Sequence, residues 1–498
     1  MYQVNKTLKR ISLQGAIGTS LALTLSVQAD LLSFQGEYQS ELEERAAVSN
    51  QATYDQLKSQ GCTDSAQIAT ASCAGGSFLV WNNVRELVHT ANELTNVGPT
   101  EFSLDSDLEG LGFSLRWTSG EEFSSEESLS DSFVSGQLTN LASRVTALRS
   151  GTRGFNTAGF NNGGNNTAIA RRESGNSGLN SGDGVTGDWS RLGGFINGSY
   201  TYGNQDPSGR EDAFDFEGMD VNGGLDYRLD DNWVVGAIFG YIKNEVDFDA
   251  RLSIVEGGVE MDGLSIMPFV LYQSENWFYN ASLGYLQSEF ETDRSIRYPS
   301  FNTNVDSVNT RAVSKHDANT LSASFSAGYS YFIRDNWLLE PSLSVNYQDV
   351  TIDEFSERDI NNEGFDFLVE EQNIESLETV LSLKTQYTMS NNYGVFVPYI
   401  EVHFYKQHED EQRFIDAAYV NVAQILDKNA RFSLPTNSVD SDYKVYSIGM
   451  STVLRGARQK TADSTASGGI QAFINYRKLE DIAGYHQQIV SAGIRYEF

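Results

Sequence analysis

From residue 189 onward, apolar and polar positions alternate with a period of two, as they do in strands whose successive side chains point to opposite faces. Val221, Gly223, Leu225, Tyr227 and Leu229 share one face of such a segment, and Asn222, Asp226 and Arg228 share the other. Later in the chain Ile470, Ala472, Ile474 and Tyr476 oppose Gln471, Asn475 and Arg477 in the same way. The pattern predicts twelve strands, at about 189–202, 214–229, 232–248, 257–274, 276–292, 317–334, 336–353, 373–390, 393–408, 441–455, 468–479 and 485–498.

The connections between these segments are of two kinds. A short motif recurs as Asp231-Asn232-Trp233, Glu275-Asn276-Trp277, Asp335-Asn336-Trp337 and Asn391-Asn392-Tyr393, at intervals of 44, 60 and 56 residues. Asn accepts the backbone geometry of a tight turn, and Trp or Tyr favours a membrane–water interface. Trp233, Trp277, Trp337 and Tyr393 are therefore the expected girdle aromatics of one rim. The other connections are longer and acidic, near 203–213, 249–257, 293–316, 354–372 and 408–441. Short turns on one rim and long loops on the other is the pattern of outer-membrane barrels. Pro268, Pro341 and Pro398 fall inside strands and forfeit a ladder hydrogen bond, so bulges are expected there. The segment VSAGIRYEF, from Val490 to Phe498, resembles the signal such barrels present to their assembly machinery, with Ile494, Tyr496 and Phe498 carrying it.

Upstream the period changes. Leu79, Val80, Val84, Leu87, Val88 and Leu94 follow helical spacing, as do Leu138, Leu141, Val145 and Leu148. Residues 30–150 are expected to hold two or three helices and a short extended piece near Leu111–Trp117. Residues 151–188 are rich in Gly, Asn and Ser and read as a flexible linker ahead of a barrel domain at 189–498. At 1–29, Lys6, Lys9 and Arg10 precede an apolar run closed by Val27-Gln28-Ala29, the form of a removed signal peptide. No other run approaches the length of a spanning helix. A membrane-resident chain of this kind must span as a closed barrel.

Composition changes this picture little. Of 498 residues 40% are hydrophobic, as expected where half of each strand faces water, and a net charge of -32 excludes nucleic acid as a partner. Cys62 and Cys73 lie in the exported part and form a candidate disulfide; without neighbouring His they do not suggest a metal site. Candidate chemistry is sparse. No G-x-S-x-G elbow occurs, and His89 on WNNVRELVHTANEL has no positioned Ser or Cys beside it, so it reads as a packed or surface histidine. His403 and His408, followed by Glu409, Asp410 and Glu411, read as a solvated loop rather than a metal site. The acidic stretch Asp353–Glu375 lacks the order of a calcium loop, and its charge reads as solvation. No catalytic, cofactor-binding or metal residues are expected, no cofactor is implied, and the chain is not expected to be an enzyme.

A signal peptide, an exported segment, a helix and a barrel of about 300 residues together resemble the bacterial autotransporters of type V secretion. Within the barrel, the run from Trp189 through Gly240 (WSRLGGFINGSY, then DVNGGLDYRLDDNWVVGAIFGY) is similar to the opening strands of autotransporter β-domains. The segment GQLTNLASRVTALRSG, Gly136–Gly151, resembles the helix that threads the barrel lumen in that family. The resemblance makes Leu138, Asn140, Leu141, Arg144, Val145 and Leu148 candidate pore-helix residues; the residues themselves equally allow an amphipathic helix packed on the upstream helices. Self-cleaving members carry an Asn-Asn pair on this helix. Here the dipeptide is Thr139-Asn140, so processing by that route is not expected.

The expected fold is thus an all-β transmembrane barrel of 12 antiparallel strands behind a small, mainly α-helical N-terminal region. The resemblance implies an outer-membrane monomer in contact with lipid and lipopolysaccharide, handled by periplasmic chaperones and the barrel-assembly machinery. It implies display or translocation of a short, non-catalytic passenger. The alternative is a porin-like channel with a periplasmic or pore-plugging helical domain, and a surface hydrolase is a third possibility.

Overall fold

The structure, a computed structural model, describes residues 30–151, 192–230, 232–248, 253–274, 276–391, 394–409, 411–428, 431–437, 440–455 and 470–497. The segment read above as signal peptide and all of the linker but Gly151, along with Tyr393 and Phe498, lie outside these residues.

Twelve of the strands among the described residues close into one antiparallel barrel. They are β1 (Leu192–Gln205), β2 (Phe214–Arg228), β3 (Trp233–Phe248), β4 (Gly257–Ser274), β5 (Trp277–Tyr298) and β6 (Val308–Tyr329), then β7 (Trp337–Ile352), β8 (Gln372–Tyr387), β9 (Gly394–Gln407), β10 (Asp442–Arg455), β11 (Ile470–Glu480) and β12 (Tyr485–Glu497). Each pairs with its sequence neighbour, and β12 returns to β1 in a ladder running from Gly193 opposite Glu497 to Gln205 opposite Tyr485. Closure leaves no unpaired edge, which resolves the hazard of an apolar terminal strand.

The faces of these strands exchange roles along their length. In the half of β3 nearer the short turns, Phe239 and Tyr241 point outward and are exposed. Beyond Tyr241 the outward positions are Lys243, Glu245 and Asp247, while Ile242, Val246 and Phe248 are buried inside. Apolar outward residues suit lipid, and polar ones suit water, so the lipid boundary lies close to Tyr241. Strands β5 and β6 have 22 residues each, about 70 Å at the rise of an extended chain, where roughly 10 residues suffice to cross a bilayer. Their far halves stand clear of the lipid.

That inversion corrects the expected loop at 293–316. Strand β5 continues to Tyr298 and β6 begins at Val308, because Arg294, Ile296 and Tyr298 are buried inward while Asp293 and Arg297 point outward into ion pairs with Arg311 and Glu256. The expected loops at 354–372 and 408–441 are also structured. They contribute a second sheet in the order Phe432–Pro435, Phe414–Tyr419, Phe367–Val369 and Phe355–Ser356.

The prolines do not produce the expected bulges. Each keeps one ladder partner (Pro268 with Ala237, Pro341 with Leu383, Pro398 with Met450) and sits where pairing with the other neighbour lapses. The missing N–H is accommodated by a gap in one ladder, without a shift of register.

Among the described residues four α-helices precede the barrel: α1 (Glu41–Ser59), α2 (Gly76–Thr95), α3 (Leu108–Trp117) and α4 (Ser125–Gly151). Ser40 caps α1 by accepting from the Glu43 amide at 3.2 Å, with three acids in the first turn and Lys58 in the last. Helix α2 ends at Asn96, whose left-handed conformation closes it. Helix α3 replaces the extended piece expected at Leu111–Trp117. Asp107 caps it through the Gly110 amide at 2.9 Å, and Leu111 and Leu115, four apart, are buried on one face. Tyr54 of α1 stacks on Trp81 of α2 with ring centroids 4.8 Å apart. Cys62 and Cys73 are joined by a disulfide across the α1–α2 connection, with Cα atoms 5.0 Å apart.

Candidate functional site

Helix α4 lies in the barrel lumen, against the wall formed by β1–β4. Leu141, Val145 and Leu148 pack with Val234, Ile238, Met267, Phe269 and Leu271 in one buried cluster, and Leu138 lies against it. Polar side chains fix the rest of that face. Gln137 bonds Ser265, the Asn140 amide donates to Ser199 Oγ at 3.3 Å, and Arg144 pairs with Asp226, which also receives Arg495 at 3.2 Å. From elsewhere on the ring, Arg477 of β11 reaches Thr139 and Lys384 of β8 reaches Thr146 at 2.9 Å. Gly240 permits this approach, since a Cβ there would meet the side-chain amide of Gln137 at 2.7 Å. All six candidate pore-helix residues thus face the same packing surface. The inward direction of Asp226 and Arg477 was legible from alternation. Their partners on α4, with Gln137, Thr139, Thr146, Ser265 and Lys384, were missed, because a strand pattern gives a face and no distance.

At the long-loop end, α1–α3 sit over the barrel mouth as a cap and share one uninterrupted hydrophobic core with it. Trp81, Leu87 and Leu115 from the helices belong to the same cluster as Ile242, Phe290 and Tyr298 from the strand tops and Phe367 and Tyr419 from the second sheet. The seam is also hydrogen bonded. Tyr419 OH donates to Asn50 at 2.9 Å, the Asn302 amide to the Ser103 carbonyl at 2.7 Å, and the Asn83 amide to the Glu363 carbonyl at 3.0 Å. Arg210 meets Glu41 at 2.9 Å.

Charge is concentrated where the cap turns into α4. Fully buried Arg294 holds Glu357 through two nitrogens, at 3.0 and 2.5 Å, and donates to the Phe365 carbonyl at 2.8 Å. Arg116 meets Glu121 at 3.2 Å, and Glu126 faces His316 at 3.2 Å while receiving Gln372 at 3.4 Å. Glu122 lies among them, also buried. Its burial holds the carboxyl well above the usual range, which Arg294 only partly opposes. Glu357 and Asp359 belong to the acidic stretch read as solvation. Both are buried, with Asp359 accepting from the Glu363 and Phe365 amides, so part of that charge holds the loop together.

The opposite wall of the lumen, β6–β10, leaves a cavity of about 590 Å³ beside α4. His403 lines it. Its Nδ1 lies 2.7 Å from Ser382 Oγ on the neighbouring strand, and its Nε2 lies 3.8 Å from Glu401. The grouping has the residue types of a hydrolytic triad, but Ser382 and His403 pair with each other in mid-ladder, flanked by β7 and β10, so the nearby backbone amides are committed to neighbouring strands rather than to an oxyanion. His408, five residues along, is on the other face and exposed, bonded to Thr379 at 2.9 Å. His403 faces inward on β9, and His408 lies one residue past the end of that strand, which keeps the two histidines apart. Among the described residues no group of His, Cys, Asp and Glu could hold a metal ion.

His89 is fully buried in the cap. Its Nδ1 accepts from the Phe102 amide at 3.1 Å, which directs Nε2 toward Asp64 at 3.6 Å. Burial would raise the Asp64 carboxyl, but His89, Tyr54 and Lys58 together hold it well below the usual range. These contacts tie the disulfide-closed connection to both flanking helices.

The remaining sequence candidates lie on the outer surface. Trp233, Trp277 and Trp337 are exposed along the short-turn rim; Trp233 packs on Tyr272 at 4.6 Å, and Trp277 on Tyr329 at 5.0 Å. Ile494 and Tyr496 point outward from β12, opposite Ile196 and Gly194 of β1.

Residues 194–458 match the family model described as the autotransporter β-domain. Among solved structures, the chain is similar to the translocator domain of the autotransporter NalP from Neisseria meningitidis, at 11% identity and a TM-score of 0.44, covering 64% of this chain and 90% of that one. It is also similar to the β domain of the Bordetella autotransporter BrkA (13%, 0.41, 61% and 99%) and to the transport unit of AIDA-I from Escherichia coli (13%, 0.39, 65% and 93%). No curated protein matches. At those scores the structural likenesses add no argument, and the assignment rests on the family model, which covers more than half of the sequence. The barrel is therefore an outer-membrane barrel of the kind that depends on the assembly machinery, and the chain belongs to the autotransporter β-domain family.

Proposed function

We propose that the protein displays its own N-terminal region, residues 30–124, as a permanent folded cap on the cell-surface mouth of the barrel, tethered by α4 through the lumen. The observation that carries this reading is the shared core. Side chains of α1–α3 and of the strand tops form one cluster on the long-loop side, the side that faces outward in outer-membrane barrels. A passenger meant for release would bury its apolar surface within itself. This one buries it against the barrel, and Thr139-Asn140 at the lumen helix departs from the self-cleaving pair. The cap has no catalytic role in this reading.

The test uses the exposed disulfide-closed connection, where Ile68 is 77% exposed. An epitope inserted after Ile68 should be detected by antibody on intact cells, with no N-terminal fragment in the medium. Detection only after the outer membrane is permeabilised would place the cap in the periplasm. A released fragment would make it a secreted passenger.

A further inference from the structure

We propose that the outer wall of β9–β11, just above the lipid boundary, docks the phosphate groups of an anionic lipid of the outer leaflet. The three strands leave the lipid in the same way. Phe404 of β9, Tyr446 of β10 and Tyr476 of β11 point outward, and the next outward position toward the long loops is a lysine each time: Lys406, Lys444 and Lys478. The ladders set Lys444 opposite Phe404 and Lys478 opposite Tyr446, so the lysines are diagonal neighbours across adjacent strands. Such neighbours lie about 7–8 Å apart, which gives a row of about 15 Å. Aromatic side chains mark the membrane–water interface, and ammonium groups one step above them stand at the depth of lipid phosphates.

Each lysine already meets a carboxylate. Lys406 meets Asp442 at 3.1 Å, Lys444 meets Asp481 at 2.5 Å, and Lys478 meets Glu480. These acids lie on the water side: Asp442 and Glu480 are each two residues beyond a lysine on the same strand, and Asp481 follows Glu480. The lysine side chains stay 42–49% exposed, and an ammonium has three donors, enough for a carboxylate above and a phosphate beside it. Exposed pairs of this kind are weak enough to share the cation with a second anion.

The rest of the ring differs at this level. Among the described residues the corresponding outward positions include Glu217 on β2, Asp262 on β4, Asp349 on β7 and Glu375 on β8. Lys243 of β3 is held by Glu260 at 2.9 Å, and Lys315 of β6 lies between Glu289 and Glu291, at 2.6 and 2.8 Å. A chain of net charge -32 repels an anionic leaflet round most of its girth, so lipid phosphates gather where three cations come first. Below the lysines, exposed Ile400, Ile448 and Ile474 give the acyl chains an apolar wall. The inference rests on the membrane placement of the barrel alone, and holds wherever the cap lies.

The experiment is native mass spectrometry of the full-length protein in non-ionic detergent, after its heat-dependent gel shift has shown a folded barrel. Bisphosphorylated lipid A, its monophosphorylated form and phosphatidylcholine are added in turn. The expected result is retention in that order, unchanged by EDTA. Lys444→Gln should weaken lipid A binding about fivefold, and the same change at Lys406, Lys444 and Lys478 together by more than about tenfold, with the gel shift kept. Lys243→Gln with Lys315→Gln, on the opposite arc, should alter it by less than about twofold. Three results would overturn the site: phosphatidylcholine held as well as lipid A, wild-type affinity in either folded β9–β11 variant, or binding lost in EDTA. The last would place the phosphates on a divalent bridge to the acidic arc.

Discussion

The outer end of this molecule and its middle are held together by different means. At the outer end, helices, strand tops and a second small sheet merge into one apolar core, with buried ion pairs at its floor. In the middle, a single helix lies on one wall through a narrow apolar strip and a set of charged and amide contacts, with water space on its other side. Burial holds the cap, and electrostatic pairing locates the helix. The first kind of contact tolerates few voids but is indifferent to salt and to partner identity. The second depends on individual partners.

The largest separation of the two regions is expected from Trp81→Ala. Losing a fully buried indole stacked on Tyr54 should cost about 3–5 kcal/mol, enough to make residues 30–124 protease-sensitive while the barrel keeps its heat-dependent gel shift. If the gel shift vanishes as well, cap and barrel are one cooperative unit. Arg144→Ala acts on the other region. Removing one member of a buried pair should cost roughly 3 kcal/mol, and single-channel conductance should rise as α4 spends time off its wall. Conductance equal to wild type would show that the apolar strip alone locates the helix.

A smaller effect is expected from Cys62→Ser with Cys73→Ser. Opening a loop with a sequence separation of 11 should cost about 2–3 kcal/mol, read as a lower thermal midpoint for proteolysis of the cap, with the barrel transition unmoved. The subtlest is pH dependence at the floor of the cap, where Arg294, Glu121 and Glu357 face Glu122. A carboxyl raised in the folded state favours folding while protonated. Its contribution is full below the unfolded value of about 4.5 and fades as pH climbs through the folded value. The cap should therefore loosen toward alkaline pH, and Glu122→Gln should flatten that slope in proteolysis measured across about pH 5 to 9. An unchanged slope would exclude Glu122 as its source.

The legible parts of the sequence were those where one physical demand governs one face. Within the lipid, outward residues must be apolar and inward ones wet, so the alternation at Val221–Leu229 and Ile470–Arg477 gave both faces directly. Above the lipid the demand reverses. Arg294, Ile296 and Tyr298 continue the inward face of β5 under the cap, but their outward neighbours Asp293, Ser295 and Arg297 are polar, and the stretch reads as a loop. The second sheet was hidden for a related reason. Its strands are two to six residues long, and Phe367–Val369 shows no period until the cap covers it.

Helix α3 was misread because Gly110 and Gly112 dilute its pattern, although Asp107 marks its start. The lumen helix was visible as a helix through Leu138, Leu141, Val145 and Leu148. Its place inside the ring came from the family resemblance, since an apolar strip that narrow fits either a barrel wall or a neighbouring helix.

The path of α4 gives the molecule a mechanical bond. Among the described residues the ring closed by β1 and β12 encircles one helix, a body about 10–12 Å across, while the cap on the long-loop side is a bundle of three helices seated on a sheet. A bead of three packed helices is wider than the single described helix that occupies the ring. Withdrawal requires that the bead unravel or the ring open, so the assembled molecule is held by its topology as well as by its contacts. A detergent or pH that weakens the seam would set the cap rocking on its tether, still captive.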